Sequence, residues 1–560
     1  MREIITSNGR TELSDGNEMM PAGGRESDLP PDFAERVRVN QQNLTTHLKQ
    51  RYDFIVCGSG SSGSVVAARL ARNPEVSVLL LEAGGSDDVP NVREAIQWPT
   101  NLGSERDWAF VSQPNPHLNG RSLPMSMGKV LGGGSAINVM VWARGHKNDW
   151  DYFASEADDQ AWNYQSVLNI YRRIEDWHGI PDPQYRGTGG PVFVQPAPDP
   201  NPIALGMLEG AQGAGIPIYD SPNGRMMETA GGCALADLRV RDGQRLSIFR
   251  SYVFPYMDRP NLTVLTGALV TRVRFDGKRA AGVELEYNGR VHRIAAESEV
   301  ILSLGAINTP RVLMHSGIGD QAELQRVGIP VIQHLPGVGQ NFQDHVAVAS
   351  CMWEYAKPMA PHNNGAEATF FWKSDAGLDT PDMQPFQIEL PLTSPETAKL
   401  NPPANCWILF PGIVRPKSRG HLRLTGADPH SAIEIHANLL QHPDDFRAMV
   451  SCVELCREIG NSKALRRFVK REVMPGHLKG AGLQRFIQDA AVTYWHQTCT
   501  AKMGRDPMSV VDGNLKVYGV ENLRVADGSI MPRVTTGNTM APCVIIGERA
   551  AEILEAAHKL

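Results

Sequence analysis

The feature that most constrains this chain is a glycine pattern between a predicted strand and a predicted helix. The run YDFIVCG is short, apolar and typical of a buried strand, and SSGSVVAARLARNPE follows with helical spacing of its apolar residues. At their junction Gly58, Gly60 and Gly63 form G-x-G-x-x-G. In such a pattern the first glycine permits the tight turn, the second lets a pyrophosphate approach the backbone, and the third lets helix and strand pack closely. VSVLLLEAGG adds a second buried strand, so the sequence predicts a dinucleotide-binding βαβ unit.

An acidic residue ends the second predicted strand. Glu82 lies 24 positions after Gly58, near the distance expected for an acid that binds a ribose hydroxyl. Ser61 and Ser62 begin the helix, whose N-terminus would face the phosphate charge, and we predict that both contact the dinucleotide. This unit alone is compatible with FAD, with NAD or with a purely structural glycine turn.

Composition narrows the class of protein. The 560 residues carry a formal net charge of −6, which offers no general attraction to nucleic acid. No apolar run reaches the roughly 18 residues that a membrane span needs, and the first residues lack the apolar stretch of a secretory signal. The eight cysteines are scattered without a C-x-x-C pair; for Cys452 and Cys456, one helical turn apart, we favour buried free thiols over a metal site. A cytoplasmic enzyme without a metal is therefore expected.

Several long segments share one resemblance. They are MGKVLGGGSAINVMVWARGHKNDWD (Met127–Asp151), GAINTPRVLMHSGIG (Gly305–Gly319), LPGVGQNFQDH (Leu335–His345), RPKSRGHLRL (Arg415–Leu424) and ADGSIMPRVTTGNTMAP (Ala526–Pro542). Together they resemble the glucose–methanol–choline (GMC) oxidoreductases, which are flavoenzymes, over about residues 51–560. Within that family, the segment from His496 to Pro532 is most similar to bacterial sorbose, choline and alcohol dehydrogenases, whereas the Trp495–His496 pair is similar to bacterial hydroxymethylfurfural oxidases.

The resemblance implies an α/β fold with two domains. A Rossmann-type FAD-binding domain would comprise residues 51–160, 245–345 and 491–560. An α+β substrate-binding domain on a mainly antiparallel sheet would comprise residues 161–244 and 346–490. Residues 1–50 are polar with little periodicity, and we predict an extension that is mostly disordered or lies on the surface.

The same resemblance implies which further residues bind FAD. The expected contacts are Gly132, Gly133, Gly134, Asn138, Val139, Val141, Val270, Asp527, Gly528, Asn538, Thr539 and Met540. For Val141 and Val270 ordinary core packing is the alternative, and for the glycines a structural turn. Some relatives bind FAD covalently through a histidine, but Ile137 stands at that position here, so we expect non-covalent FAD.

The family's catalytic pair is a histidine followed some forty residues later by histidine or asparagine. His496 and Asn538 match these two positions. Oxidising an alcohol removes a hydroxyl proton and a carbinol hydride; flavin N5 accepts the hydride, and histidine suits the base because its ordinary pKa lies near neutrality. We therefore expect His496 to act as the base and Asn538 to orient the alcohol oxygen.

Four other residues have weaker functional interpretations. Trp495 either lines the substrate pocket and favours flat aromatic alcohols or packs in the core. A structural role is expected for His345 in the QDH motif and for His117, and packing is expected for Cys499.

The expected activity is FAD-dependent oxidation of a small primary alcohol, aromatic or polyol, to an aldehyde. Electrons would pass to O₂ or to a quinone-type acceptor, and the motifs do not separate an oxidase from a dehydrogenase. The alternatives are a lyase or a light-driven flavoenzyme on the same fold, and a flavin-binding protein without catalysis. The specific alcohol and the oligomeric state cannot be inferred from these motifs.

Overall fold

The apolar runs that suggested buried strands form one seven-stranded sheet in a computed structural model that describes residues 29–349 and 351–560. From one edge to the other its strands are Leu262–Leu265, Val78–Leu81, Arg51–Cys57, Arg290–Leu302, Arg279–Tyr287 and Leu269–Asp276, and Leu523–Val525 pairs with Arg290–Leu302. The strands that carry the dinucleotide motif pair in parallel, and the last three in the row are antiparallel. Strand Arg51–Cys57 is almost entirely buried because parallel strands are covered on both faces.

Two helices pack together over the predicted dinucleotide motif. Ser61–Leu70 follows strand Arg51–Cys57, as predicted. The C-terminal helix Met540–His558 lies against it, and this contact requires a small residue: a Cβ at Gly547 would come within 2.7 Å of the carbonyl oxygen of Ser62. The start of the first helix and the C-terminal segment are thereby brought to the same place.

A second, fully antiparallel sheet of six strands lies in the region predicted to bind substrate. In order its strands are Val469–Met474, Met352–Tyr355, Cys406–Phe410, Phe386–Ile388, Ala368–Phe371 and Gly232–Leu235. This confirms the predicted fold class. Strand Gly232–Leu235 joins the sheet from the 161–244 segment, as expected of one substrate-binding unit, although the exact domain boundaries stay a prediction.

Three short strands connect the two regions. Val346–Val348 pairs with both Gly412–Ile413 and Ala491–Thr493, antiparallel in each case. This small sheet places the QDH motif beside the segment that contains His496. Among the described residues, the other helices of eight residues or more are Phe33–Thr46, Lys147–Ala157, Tyr164–Ile174, Pro202–Gly213, Gly305–His315, Pro443–Gly460 and Gly480–Ala490.

The second half of residues 1–50 follows one of the two predicted alternatives, because it lies on the surface, and it is ordered there. Phe33–Thr46 is a helix whose Phe33, Val37 and Gln41 side chains are buried. The amide of Gln41 donates to the carbonyl oxygen of Leu262 at 2.9 Å and so attaches the helix to the edge strand of the first sheet. These three residues form one narrow stripe at i, i+4 and i+8, and the polar residues around it hid the helical pattern. Residues 1–28 lie outside the described residues, so the prediction remains untested there.

Two further expectations concern membranes and cysteines. Over residues 29–349 and 351–560, none of the helices combines the length and apolarity that a membrane span requires. All eight cysteines are free, seven of them buried. Cys452 and Cys456 lie buried on helix Pro443–Gly460, and the described residues contain no cluster of histidine, cysteine and carboxylate side chains suited to a metal.

Candidate active site

The glycine turn forms one end of a large cavity. Gly58 has φ +99° and a Cβ there would lie 2.3 Å from the carbonyl oxygen of Ser303, while a Cβ at Gly63 would lie 2.0 Å from the carbonyl oxygen of Gly58. These two glycines serve the packing of turn, strand and helix. A Cβ at Gly60 would meet no protein atom within 4 Å, and Gly60 lines the cavity together with Ser61 and Ser62. The N-terminus of the helix therefore points its free N–H groups at the cavity, which suits a phosphate.

Glu82 lines the cavity beside this turn. Its carboxylate accepts hydrogen bonds from the Ser59 hydroxyl at 2.6 Å and from the Gly84 N–H at 2.8 Å, and burial raises its pKa. A carboxylate has about four acceptor positions, so these bonds leave capacity for a ribose hydroxyl. The acid predicted from its spacing is thus held in place by the chain and faces the cavity.

The second glycine-rich segment covers another side of the cavity. Gly133, Gly134, Asn138, Val139 and Val141 all line it. A Cβ at Gly134 would also meet no protein atom within 4 Å, so a side chain there would occupy cavity space. The Asn138 side chain is fixed by Arg245, whose guanidinium donates to its Oδ1 at 2.9 Å.

The C-terminal segment forms a third side. Asp527 accepts from the Gly305 N–H at 2.9 Å and from the Ser529 N–H at 2.8 Å, and burial raises its pKa. Asp527 lines the cavity with Gly528, Asn538, Thr539 and Met540. Segments more than 450 residues apart in the sequence thus meet around one space.

Three predicted cofactor residues do not line the cavity. Gly63 and Gly132 lie behind it in the packed turns, where Gly132 adopts φ +92°. Val270 is buried in strand Leu269–Asp276, where it pairs with Leu285. For Val270 the structure shows the core packing that was left open as the alternative.

The two predicted catalytic side chains meet in the cavity wall. His496 Nε2 lies 3.3 Å from the amide nitrogen of Asn538, and each residue is less than 10% exposed. The Asn538 Oδ1 accepts from the amide nitrogen of Gln384 at 3.0 Å, which leaves the Asn538 amide nitrogen to face His496. Burial lowers the pKa of His496 to about 3, so the imidazole is neutral at ordinary pH and has one bare ring nitrogen.

His345 contributes to the site in a way that the sequence did not indicate. Its Nδ1 lies 2.9 Å from Nδ1 of His496, and its ring is fully buried. The structural role expected of His345 is therefore a contact with the predicted base itself. His117 lies on the surface outside the cavity, and Cys499 is buried, with its thiol 3.2 Å from the hydroxyl of Thr498, in keeping with packing. His345 could have been identified only from the pairing of the strand after the QDH motif with the strand before His496. The register of that pairing cannot be read from the sequence.

Six aromatic side chains line the cavity. They are Trp98, Trp108, Phe386, Phe410, Tyr494 and Trp495. Tyr494 stacks on the His496 ring, with centroids 5.1 Å apart and planes at 15°. Trp495 has φ +60°, a left-handed conformation that is uncommon for a bulky residue, and it lines the cavity. Motif analysis identified Trp495 alone among these residues; Tyr494 directly precedes it, and the other four come from elements distant in sequence.

The residues present fit a flavin dinucleotide. A helix N-terminus and a buried acid stand at one end, and a neutral histidine and an amide stand beside an aromatic wall elsewhere. The cavity holds about 1690 Å³ of space not filled by atoms, part of it open to solvent. Gly60 and Gly134 keep the backbone free of side chains where the dinucleotide would lie.

Comparison with known proteins gives consistent matches along the chain. Two GMC oxidoreductase family models match it, one over residues 52–347 and the other over residues 416–547. The oxygen-dependent choline dehydrogenase of Brucella anthropi is 36% identical over 529 residues, which cover 89% of this chain and 95% of that protein. The mitochondrial choline dehydrogenase of Mus musculus is 36% identical over 545 residues, which cover 90% of each.

Among solved structures, pyridoxine 4-oxidase from Mesorbium loti superposes with a TM-score of 0.86. It is 29% identical in sequence, and the match covers 91% of this chain and all of the other. The structural similarity therefore extends over nearly the whole described chain.

The different surroundings of Gly60 and Gly63 make a matched test of the dinucleotide site. Gly60→Ala should leave the thermal stability of the FAD-free protein unchanged and weaken FAD binding roughly 10- to 100-fold, because a methyl group forced into a packed site costs about 1–3 kcal/mol. Gly63→Ala should lower the unfolding temperature with or without FAD, because its Cβ collides with the backbone of Gly58. Calorimetry and flavin titration measure both; normal FAD affinity in Gly60→Ala would contradict the assignment.

Proposed function

The chain belongs to the GMC oxidoreductase family, and from this premise we propose that it oxidises a primary alcohol to an aldehyde. Members of this family bind FAD and act on CH–OH donors, so FAD is the cofactor for which the cavity is built. The observation that carries the proposal is the approach of His496 Nε2 and the Asn538 amide within 3.3 Å at the wall of that cavity. An alcohol oxygen placed beside this pair can lie within hydrogen-bond distance of both atoms.

The protein's own contribution is to hold the alcohol and to take its proton. When bound, FAD supplies the two-electron acceptor for the carbinol hydrogen. The neutral imidazole of His496 accepts the hydroxyl proton at Nε2, and the Asn538 amide donates a hydrogen bond to the same oxygen. Because the surroundings are buried, few waters compete for these contacts and the partial charges are weakly screened.

The walls favour a flat, neutral alcohol. Six aromatic rings line the cavity, one of them stacked on the His496 ring, and they offer broad apolar contact to an aromatic substrate. Among the described residues that line the cavity, the carboxylates are Glu82 and Asp527, and both belong to the dinucleotide segments. A cationic alcohol such as choline, the substrate named for the relatives, would meet aromatic faces without a carboxylate. Choline is the second candidate, since aromatic faces also attract quaternary ammonium groups.

An anaerobic titration of the FAD-bound protein with a panel of alcohols tests the activity and the substrate class. Benzyl and furfuryl alcohols should bleach the oxidised-flavin absorbance at lower concentration than choline or a sugar alcohol. Bleaching by choline alone would favour the second candidate. If a flavin band is present and no alcohol bleaches it, alcohol oxidation is rejected, and the lyase and light-driven alternatives become the next to test.

The same sample identifies the electron acceptor, for which we propose O₂ or a quinone. Admitting air to the bleached protein restores the colour within the turnover time if the enzyme is an oxidase. Recovery that requires a soluble quinone identifies a dehydrogenase. We also propose a cytoplasmic location, which the eight free cysteines support.

We propose that FAD is bound without a covalent link to the chain. Ile137, which lines the cavity at the position where some relatives have the linking histidine, has no nucleophilic atom. Precipitating the holoenzyme with acid should release all the flavin into the supernatant. Yellow colour that stays in the washed pellet would contradict this proposal.

His496→Ala tests the assignment of the base. The variant should bind FAD normally and should be reduced by alcohol about 10² or more times slower, the usual scale for loss of a general base. His315→Ala is the matched control, because His315 is also buried but does not line the cavity. Anaerobic stopped-flow absorbance measures both rates; reduction of His496→Ala at the wild-type rate would remove His496 from the mechanism.

A further inference from the structure

The contact between two buried imidazoles has a consequence for the proton that each carries. We propose that His345 is a positioning residue that holds His496 in the tautomer with a proton on Nδ1 and a bare Nε2. This inference rests on the proposed function, since a bare Nε2 matters only if His496 accepts the alcohol proton. A neutral imidazole carries one proton on either nitrogen, and only one of the two tautomers can act as the base at Nε2.

Backbone pairing fixes the two rings beside each other. Val346 pairs with Thr493 in the small antiparallel sheet, and the Tyr494 N–H donates to the carbonyl oxygen of His345 at 2.9 Å. The backbone N–H of His496 donates to the carboxyl group of Asp344 at 2.8 Å. Main-chain and Asp344 contacts thus set the 2.9 Å approach of the two Nδ1 atoms, in which one nitrogen must donate and the other accept.

The surroundings of His345 allow its Nδ1 to accept that bond. The other nitrogen of its ring, Nε2, is buried and makes no well-formed hydrogen bond among the described residues. The backbone carbonyls of Val414 and Thr535 act on this ring and favour a proton on it. A neutral His345 with that proton on Nε2 has a bare Nδ1, which can accept from Nδ1–H of His496.

The other side of His496 gives the direction of the bond. Gln384 donates its amide hydrogen to Asn538 Oδ1 at 3.0 Å, and the Asn538 amide nitrogen donates to His496 Nε2 at 3.3 Å. An amide nitrogen cannot accept a hydrogen bond, so the His496 Nε2 that faces it is the bare nitrogen and the proton of His496 lies on Nδ1. Among the described residues, the buried side-chain oxygen Oε1 of Gln384 is left without a partner in this arrangement.

Three side chains thus donate in one direction: Gln384 donates to Asn538, Asn538 to His496, and His496 to His345, which accepts. If His345 donated instead, His496 would carry its proton on Nε2 and would meet the alcohol as a donor. It could then not take the hydroxyl proton without first losing its own. The acceptor at His345 Nδ1 excludes that tautomer.

Two substitutions at His345 in the FAD-bound enzyme test this role. His345→Leu removes the acceptor and should slow the limiting rate of flavin reduction on the order of 10², the scale of general-base loss, with the half-saturating alcohol concentration changed only a few-fold. His345→Asn places an amide oxygen near the former Nδ1 and should recover most of the rate. His315→Leu, the same change at a buried histidine outside the cavity, should reduce at the wild-type rate.

Three results would overturn the inference: a wild-type reduction rate in His345→Leu, an equal loss in the Leu and Asn variants, or a loss confined to substrate affinity. Should the variants fail to fold, neutron diffraction on the FAD-bound wild-type enzyme gives the answer directly. Deuterium is expected on His496 Nδ1 and His345 Nε2; deuterium on His345 Nδ1 and His496 Nε2 overturns the inference. Failure of the proposed function is distinguishable, because it would appear as an unimpaired His496→Ala variant whatever His345 does.

Discussion

The arrangement of the site depends on the pairing of strand Val346–Val348 with strand Ala491–Thr493. One strand begins directly after His345 and the other ends three residues before His496, so three pairs of backbone positions bring the two rings together. Asp344 adds a hydrogen bond to the main chain of His496. The predicted base is therefore held in place by hydrogen bonds of its own backbone. Its side chain needs little reorganisation when the reaction takes place.

Burial gives the site its chemical character. Removal from water lowers the pKa of His496 to about 3 and raises the pKa of Asp344 to about 7. Both shifts favour neutral groups around the place where the alcohol oxygen would lie. The position of the proton on His496 is then set by the dipoles of neighbouring amides and carbonyls rather than by full charges. Their electrostatic effect is strong because the site is buried and little water screens it.

Much of the dinucleotide site could be predicted from sequence because its requirements are local. A tight turn and close packing leave glycines at fixed spacing: Gly58 and Gly63 have no room for a Cβ, and the role of Gly60 in dinucleotide binding stays a prediction. His496 and Asn538 were found through family motifs, and the structure brings their side chains together, although their catalytic role stays a prediction.

What could not be predicted depends on partners far away in the chain. Helix Phe33–Thr46 is stabilised by burial of three of its side chains against another element. No local sequence pattern indicates that contact. The proximity of His345 to His496 needs a strand register across about 150 residues, and Phe386 enters the cavity from the second sheet. Such contacts are decided by tertiary packing, which overrides local propensity.

The backbone at Trp495 restricts how this cavity could change in evolution or in the laboratory. With φ at +60°, the position disfavours valine, isoleucine and threonine, whose branched Cβ crowds the backbone in this conformation. Unbranched side chains, asparagine and glycine remain open to it. The side chains that this wall position accepts are therefore limited by a main-chain angle. A search for variants with altered substrate range would be better directed at Phe386 or Phe410, which lie in regular strands.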